Sequence, residues 1–144
     1  MGISLDPEEM FEVFGDEDPT QYAEEAEQRW GDTDAYKQSQ RRVSSYTKHD
    51  WLRIKEEGAD VERRLAVALA GGAPADSDEA MDAAEAHRLQ IDRWFYETSY
   101  DMHRGLGDTY IGDPRFTAHY EKVAPGLAQY VRDAIHANAD RAGA

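Results

Sequence analysis

Three aspartates in this chain are each followed by proline, at Asp6-Pro7, Asp18-Pro19 and Asp113-Pro114, and no other feature restricts the fold as much. An aspartate carboxylate accepts from the free N–H groups of a first helical turn. Proline at the first helical position gives up an N–H that would have no partner there. Each pair therefore marks a helix start, and the rest of the chain supplies matching stops and further caps. Asp6-Pro7-Glu8-Glu9 opens a helix carrying Met10, Phe11 and Phe14 that ends at Gly15. Asp18-Pro19 opens one running through Tyr22 and Ala26 to Trp30, with Gly31 after it. Each of these is too short to be stable in isolation, so their order depends on burying Phe11, Phe14, Tyr22 and Trp30 against something else. A third segment follows Asp32-Thr33 and carries Ala35, Tyr36 and Val43. Thr47, with Asp50 three residues on as reciprocal partner, caps a long helix. Its residues Trp51, Ile54, Val61, Leu65 and Leu69 step by three, four or their multiples along one face. Gly58 lies on that face, where either a neighbouring helix approaches closely or the helix bends.

Gly71-Gly72-Ala73-Pro74-Ala75 ends the long helix and joins two helices rather than two domains, since neither half holds enough apolar material for a core of its own. Asp76 or Ser77 begins the next helix, expected to reach about Thr98, with Met81, Ala84, His87, Ile91, Trp94 and Phe95 on or beside one face. Ser99 caps a helix with Tyr100, Met102, His103, Leu106 and Tyr110; Asp113-Pro114 leads into Phe116 and Tyr120; Pro125 opens the last, with Leu127, Tyr130, Val131, Ala134 and Ile135. No stretch sustains the two-residue alternation of a strand. The expectation is an all-α fold of about seven or eight helices in globin-like, orthogonal packing, since several are too short for an up-and-down bundle. At 144 residues it is expected to be one domain with one core.

Charge divides the chain unevenly. Residues 1–34 hold 12 carboxylates against the single basic residue Arg29, whereas the remainder holds 18 against 15. The acidic arm repels nucleic-acid phosphates. It is either a solvated surface that confers solubility or a segment that stays loosely ordered until something neutral or cationic packs on it. Cysteine is absent, which excludes disulfides, thiolate metal sites and cysteine nucleophiles. With no apolar run near 18 residues and an acidic rather than basic, greasy start, the expected location is the cytoplasm, away from the membrane.

Tyrosine supplies eight of the fifteen aromatic side chains. A rigid apolar plate carrying a hydroxyl suits a wet cleft better than a dry core. Tyr100, His103, Gly107 and Tyr110 share a helical stripe on which Gly107 leaves either an open slot for a flat ligand or an ordinary packing concession. No histidine pair has zinc-helix spacing, and a haem reading with His87 and His103 as axial ligands has no specific signal. The serines lack a nucleophile elbow. Gly71-Gly72 and Gly105-Leu106-Gly107 are not nucleotide fingerprints. The isolated pairs Arg41-Arg42 and Arg63-Arg64 make no phosphate track. The reading is a binding domain, not an enzyme, that needs no cofactor or metal.

Several motifs together carry a resemblance. They are Tyr36 with Ser39, Tyr46 with Asp50-Trp51, His87, Trp94-Phe95-Tyr96, Tyr100-Asp101-Met102-His103, Leu106, Tyr110, Asp113-Pro114-Arg115-Phe116 and Pro125-Gly126-Leu127-Ala128. The chain resembles the antibiotic-recognition domain of the thiostrepton-induced regulators, the TipA type of the MerR class. Its opening, Gly2-Ile3 with Pro7-Glu8-Glu9 and Phe11 to Asp16, resembles the free-standing short form of such a regulator. The resemblance implies a globin-like fold whose mobile acidic front, residues 1–46 here, is a lid that closes over a cleft of the helical core, residues 47–144, when a thiopeptide antibiotic binds. It implies a long form that activates transcription and a short form that sequesters drug, with related domains recognising albicidin. It also marks a departure: the cysteine that bonds covalently to dehydroalanine in studied members corresponds to Gly105, and a second family cysteine falls near Thr98. Binding is therefore expected to be reversible or directed to another ligand. The expected floor is Trp94, Tyr100, His103 and Tyr110, and the lid contributes Tyr22, Trp30 and Tyr36. Trp51, His87, Ile91, Gly107, Phe116 and Tyr120 complete the candidate site. The expected partner is a small antibiotic or related metabolite, with no direct nucleic-acid contact and a monomeric state when isolated. The alternative is a regulatory sensor or protein-interaction domain for a non-antibiotic metabolite.

Overall fold

The computed structural model of the chain describes residues 3–15 and 23–144. Among these there are eight helices and no strand: α1 (Pro7–Phe14), α2 (Ala23–Trp30), α3 (Asp34–Val43), α4 (Lys48–Ala70), α5 (Asp78–Trp94), α6 (Tyr100–Gly112), α7 (Pro114–Val123) and α8 (Leu127–Arg141). No described helix is long and apolar enough to cross a membrane. The Asp18-Pro19 start lies outside the described residues.

The helix starts follow the capping chemistry. Asp6 accepts from the Glu9 N–H at 2.8 Å, Glu9 accepts in return from the Asp6 N–H at 3.3 Å, and Gly15 at φ 60 closes α1. Thr47 and Asp50 make the same reciprocal pair at the start of α4. Thr33, Ser77, Ser99 and Asp113 each accept from a first-turn N–H. α8 departs from expectation. Pro125 lies in the turn before it, the N-cap is Gly126 at φ 84 without a side-chain cap, and the Glu121 carboxylate of α7 accepts from the Gly126 and Ala128 N–H groups at 2.9 and 3.1 Å. A carboxylate from the preceding helix thus does the work of a local cap.

The chain forms two compact units. The first comprises residues 1–57 and 91–97, the second residues 58–90 and 98–144. Where composition gave one core, each unit has its own buried cluster. In the first, Val13, Val43, Trp51, Ile54 and Trp94 are buried together, with Ile3, Leu5, Phe14, Tyr46 and Phe95 against them. In the second, Val61, Leu65, Ala68, Ala84, Tyr110, Tyr120, Leu127, Val131, Ala134 and Ile135 belong to one cluster. The division falls inside α4 and α5, because Trp51, Ile54 and Trp94 share their burial with Val13 and Val43. Gly58 meets nothing nearer than Gln90 Nε2 at 4.0 Å, so no backbone approaches it.

Candidate functional site

In the second unit two histidines from α5 and α6 face each other. His87 Nδ1 lies 2.7 Å from His103 Nε2, with the rings stacked at 5.0 Å between centroids. His103 is fully buried and its Nδ1 has no partner. Burial holds both imidazoles in the neutral form, pushing His87 down to about 4 and His103 to about 3, the latter also through its neighbours His87 and Arg88. His87 touches the edge of Tyr110 at 6.0 Å, and Tyr110 in turn contacts Phe116 and Tyr120 at 5.7 and 5.1 Å. Burial raises the Tyr120 hydroxyl well above its ordinary value, so it stays protonated as a donor. Two residues before His87, the Glu85 carboxylate accepts from Arg88 Nη2 at 2.6 Å, from Arg88 Nε and Asn138 Nδ2 at 3.0 Å, and more distantly from the Tyr100 hydroxyl at 3.4 Å. The Arg88 guanidinium lies 4.2 Å over the Tyr100 ring and donates to the Thr98 carbonyl at 2.9 Å. These bonds, with Arg88 first, hold Glu85 below the usual carboxylate range.

The first unit is organised around the carboxyl end of α5. Arg42 of α3 donates to the Asp92 carbonyl at 2.6 Å, and Tyr46 donates to the Trp94 carbonyl at 2.5 Å. Gln38 accepts from the Glu97 N–H at 3.1 Å. Terminal carbonyls of a helix have no internal donors, and here α3 and Tyr46 supply them. α5 therefore ends at Trp94 and not near Thr98. Trp94 Nε1 donates to Glu57 at 3.0 Å, and Trp51 is ringed by Phe14, Tyr46 and Phe95 with its Nε1 sealed and unpartnered. α1 is tied to α4 by the Lys48–Glu12 ion pair and by Lys55 Nζ donating to the Val13 carbonyl at 2.5 Å. Tyr46→Phe removes the donor to Trp94 while keeping the ring contacts. It is expected to lower stability by about 1 kcal/mol, read as a reduced urea midpoint with unchanged slope.

The structure divides the expected site residues. Trp94 belongs to the first unit and Tyr100, His103 and Tyr110 to the second. Trp51 and Ile91 are buried in the first unit, where Tyr36 is half-buried. Trp30 ends α2 at 40 % exposure with the Arg29 guanidinium 4.4 Å over its ring. Tyr22 lies outside the described residues. In the second unit the aromatic contacts bring together His87, His103, Tyr110, Phe116 and Tyr120. The slot considered at Gly107 is occupied. A Cβ there would lie 3.4 Å from Arg132 Cα and from Ile135 Cδ1 of α8, so this glycine lets α6 and α8 approach closely. Gly105, in contrast, faces open space. A surface groove of about 390 Å³ is lined by Arg63, Arg64, Val67, Glu79 and Asp82, none of them among the expected site residues. Sequence reading missed the Glu85, Arg88 and Asn138 cluster. The three-residue spacing of Glu85 and Arg88 was a visible signal, but nothing local tied Asn138 to them. No group of three or more metal-ligating side chains occurs among the described residues.

A family model of the TipAS antibiotic-recognition domain matches residues 22–138. The chain belongs to the TipAS family. The HTH-type transcriptional activator TipA of Streptomyces coelicolor is 55 % identical over 141 residues, which is 98 % of this chain and 56 % of that protein. The HTH-type transcriptional regulator SkgA of Caulobacter vibrioides is 33 % identical over 137 residues, 93 % of this chain and 54 % of its own length. This TipAS-family chain thus spans little more than half of these relatives. Among solved structures, TipAS of Streptomyces lividans in complex with nosiheptide, described as part of a thiopeptide antibiotic multidrug resistance system, superposes with a TM-score of 0.90 at 54 % identity, covering 99 % of this chain and all of that one. The antibiotic-binding domain of a TipA-class multidrug resistance regulator gives 0.60 at 48 % identity over 65 % of this chain and all of that one.

Proposed function

We propose that this TipAS-family chain captures a multi-ring, thiopeptide-like antibiotic without forming a covalent bond, as the sensing or sequestering domain of a TipA-type regulator. The observation that carries the proposal is the agreement over 99 % of the chain with TipAS in its nosiheptide complex, in a chain that has no cysteine. The resemblance places the family cysteines at Gly105 and near Thr98, and this chain carries no thiol at either place. Residues 1–144 act as one ligand-binding domain of globin-like, orthogonal architecture, monomeric when isolated and working in the cytoplasm. Residues 1–46 form the acidic lid. Trp30, Tyr36 and Tyr22 belong to that lid, and Tyr100, Phe116 and His87 offer faces to the ligand, backed by His103, Gly107, Tyr110 and Tyr120. Trp51, Ile91 and Trp94 support the lid side. At roughly 25 cal/mol per Å², burying a few hundred square ångströms of apolar ligand supports micromolar to nanomolar binding after ordering costs.

Titration with nosiheptide and thiostrepton, followed by tryptophan fluorescence and by the amides of residues 23–43, is expected to give saturable changes. Dilution should reverse them, and the intact protein mass should be unchanged. A flat response across thiopeptides and albicidin-like compounds would contradict the proposal.

A further inference from the structure

The His87–His103 contact fixes more than packing. Two ring nitrogens 2.7 Å apart share one proton when both imidazoles are neutral, and only two arrangements do this. If His87 Nδ1 donates, the His103 proton must sit on its own Nδ1, which is sealed in the interior with no acceptor. If His103 Nε2 donates, its sealed Nδ1 is a bare acceptor instead. Buried N–H groups with no acceptor are rarer in folded proteins than buried acceptors with no donor, which favours the second arrangement. His87 then accepts at Nδ1 and must carry its own proton on Nε2. That nitrogen makes no hydrogen bond among the described residues, and it is not one of the sealed unpartnered atoms, which are Trp51 Nε1 and His103 Nδ1. His87 is only partly buried, beside Tyr110.

We infer that His103, acting as a positioning residue, locks His87 as the Nε2–H tautomer, so that His87 presents a hydrogen-bond donor to an acceptor on the ligand, such as an azole nitrogen or amide carbonyl of a thiopeptide. This rests on the binding function proposed above and makes His87 a determinant of ligand choice. Ligands offering an acceptor at this point are selected, and those presenting a donor meet a like donor and are rejected. The selection comes from the tautomer rather than from charge. A fixed donor aimed from a helix pair is preorganised, so its bond carries no reorientation cost on binding.

Two-bond proton–nitrogen correlation spectra of the free chain, with His87 and His103 assigned by substitution, are expected to show both rings protonated at Nε2 and bare at Nδ1. With saturating nosiheptide the His87 Hε2 signal should move downfield and gain protection from exchange. His87→Phe is expected to weaken nosiheptide binding by about tenfold, the effect of one lost hydrogen bond, and His87→Gln, which keeps an N–H donor, should recover most of it. A wild-type His87 protonated at Nδ1, or an Hε2 signal unmoved while tryptophan fluorescence reports saturation, overturns the inference and leaves the binding proposal standing. No response of any probe to nosiheptide overturns both.

Discussion

Acidification from pH 7 to about 4 is expected to remove several kcal/mol of stability, beginning with two buried histidines before the carboxylates titrate. His87 and His103 have folded-state values of about 4 and about 3, against 6.5 for an unconstrained imidazole. The direction follows from linkage. The folded state holds both rings neutral, whereas the unfolded state takes up protons as pH falls below 6.5. Their contribution is thus fully present above pH 6.5, declines as pH falls from there, and is exhausted once the folded rings themselves protonate near 4 and 3. A shift of one unit is about 1.4 kcal/mol, so each ring accounts for roughly 3 kcal/mol by pH 4, and coupling between them makes the joint loss less than additive. The charged groups nearby do not reverse this: Glu62 on α4 and Glu85 on α5 favour the protonated rings, but burial outweighs them, while Arg88 and His136 oppose protonation of His103. The overall charge acts in the other direction. Protonating a chain of net charge −14 relieves self-repulsion, so a loss of stability above about pH 5 reports the buried pair; below that, Glu85, Asp50, Asp108 and Glu121, held below the usual carboxylate range in the folded state, add to the loss. Urea unfolding at intervals from pH 7 to 4 checks it. The double variant His87→Gln with His103→Leu should have a flatter profile, and an equally steep profile in that variant would assign the effect elsewhere.

Gly105→Cys is expected to convert reversible capture into permanent attachment of a thiopeptide that carries dehydroalanine. The position lies in α6 with open space where a Cβ would stand, and cysteine has a slightly better helix propensity than glycine. The variant should therefore fold at least as stably as the parent. The chemistry is addition of the thiolate to the dehydroalanine carbon–carbon double bond. The sulfur–carbon bond forms at the terminal carbon, the π bond breaks, and the proton that left the thiol ends on the α carbon, so the adduct mass is the sum of the two molecules. Intact mass spectrometry after incubation with nosiheptide should show this sum for Gly105→Cys. It should show no adduct for the parent or for Gly105→Ser, which tests the space without the nucleophile. Absence of an adduct in a folded variant that still binds nosiheptide would show that α6 does not bring this position to the reactive group, and would count against carrying the family alignment onto Gly105.

Much of this protein was legible locally because caps are local. Asp6 with Pro7 and Glu9, Thr33, Thr47 with Asp50, Ser99 and Asp113 lie within a few residues of the N–H groups they satisfy, so the chain by itself determined where most helices begin, that no described residue forms a strand, and that the ligand cannot be held by a thiol. The aromatic and histidine residues of the candidate site were also visible, and His87, His103, Tyr110, Phe116 and Tyr120 do come together. Tertiary structure decided what depends on partners far along the chain. Tyr46 and Arg42 end α5 at Trp94 by donating to carbonyls 48 and 50 residues away, and Asn138 completes the Glu85 site across 53 residues. The packing of α8 on Gly107 likewise fills the slot the stripe suggested. A hydrogen bond or a van der Waals contact of that kind leaves no periodicity in the sequence. It exists only when separate helices are packed, and the same packing divides the apolar residues into two cores and sets which nitrogen of His87 carries the proton.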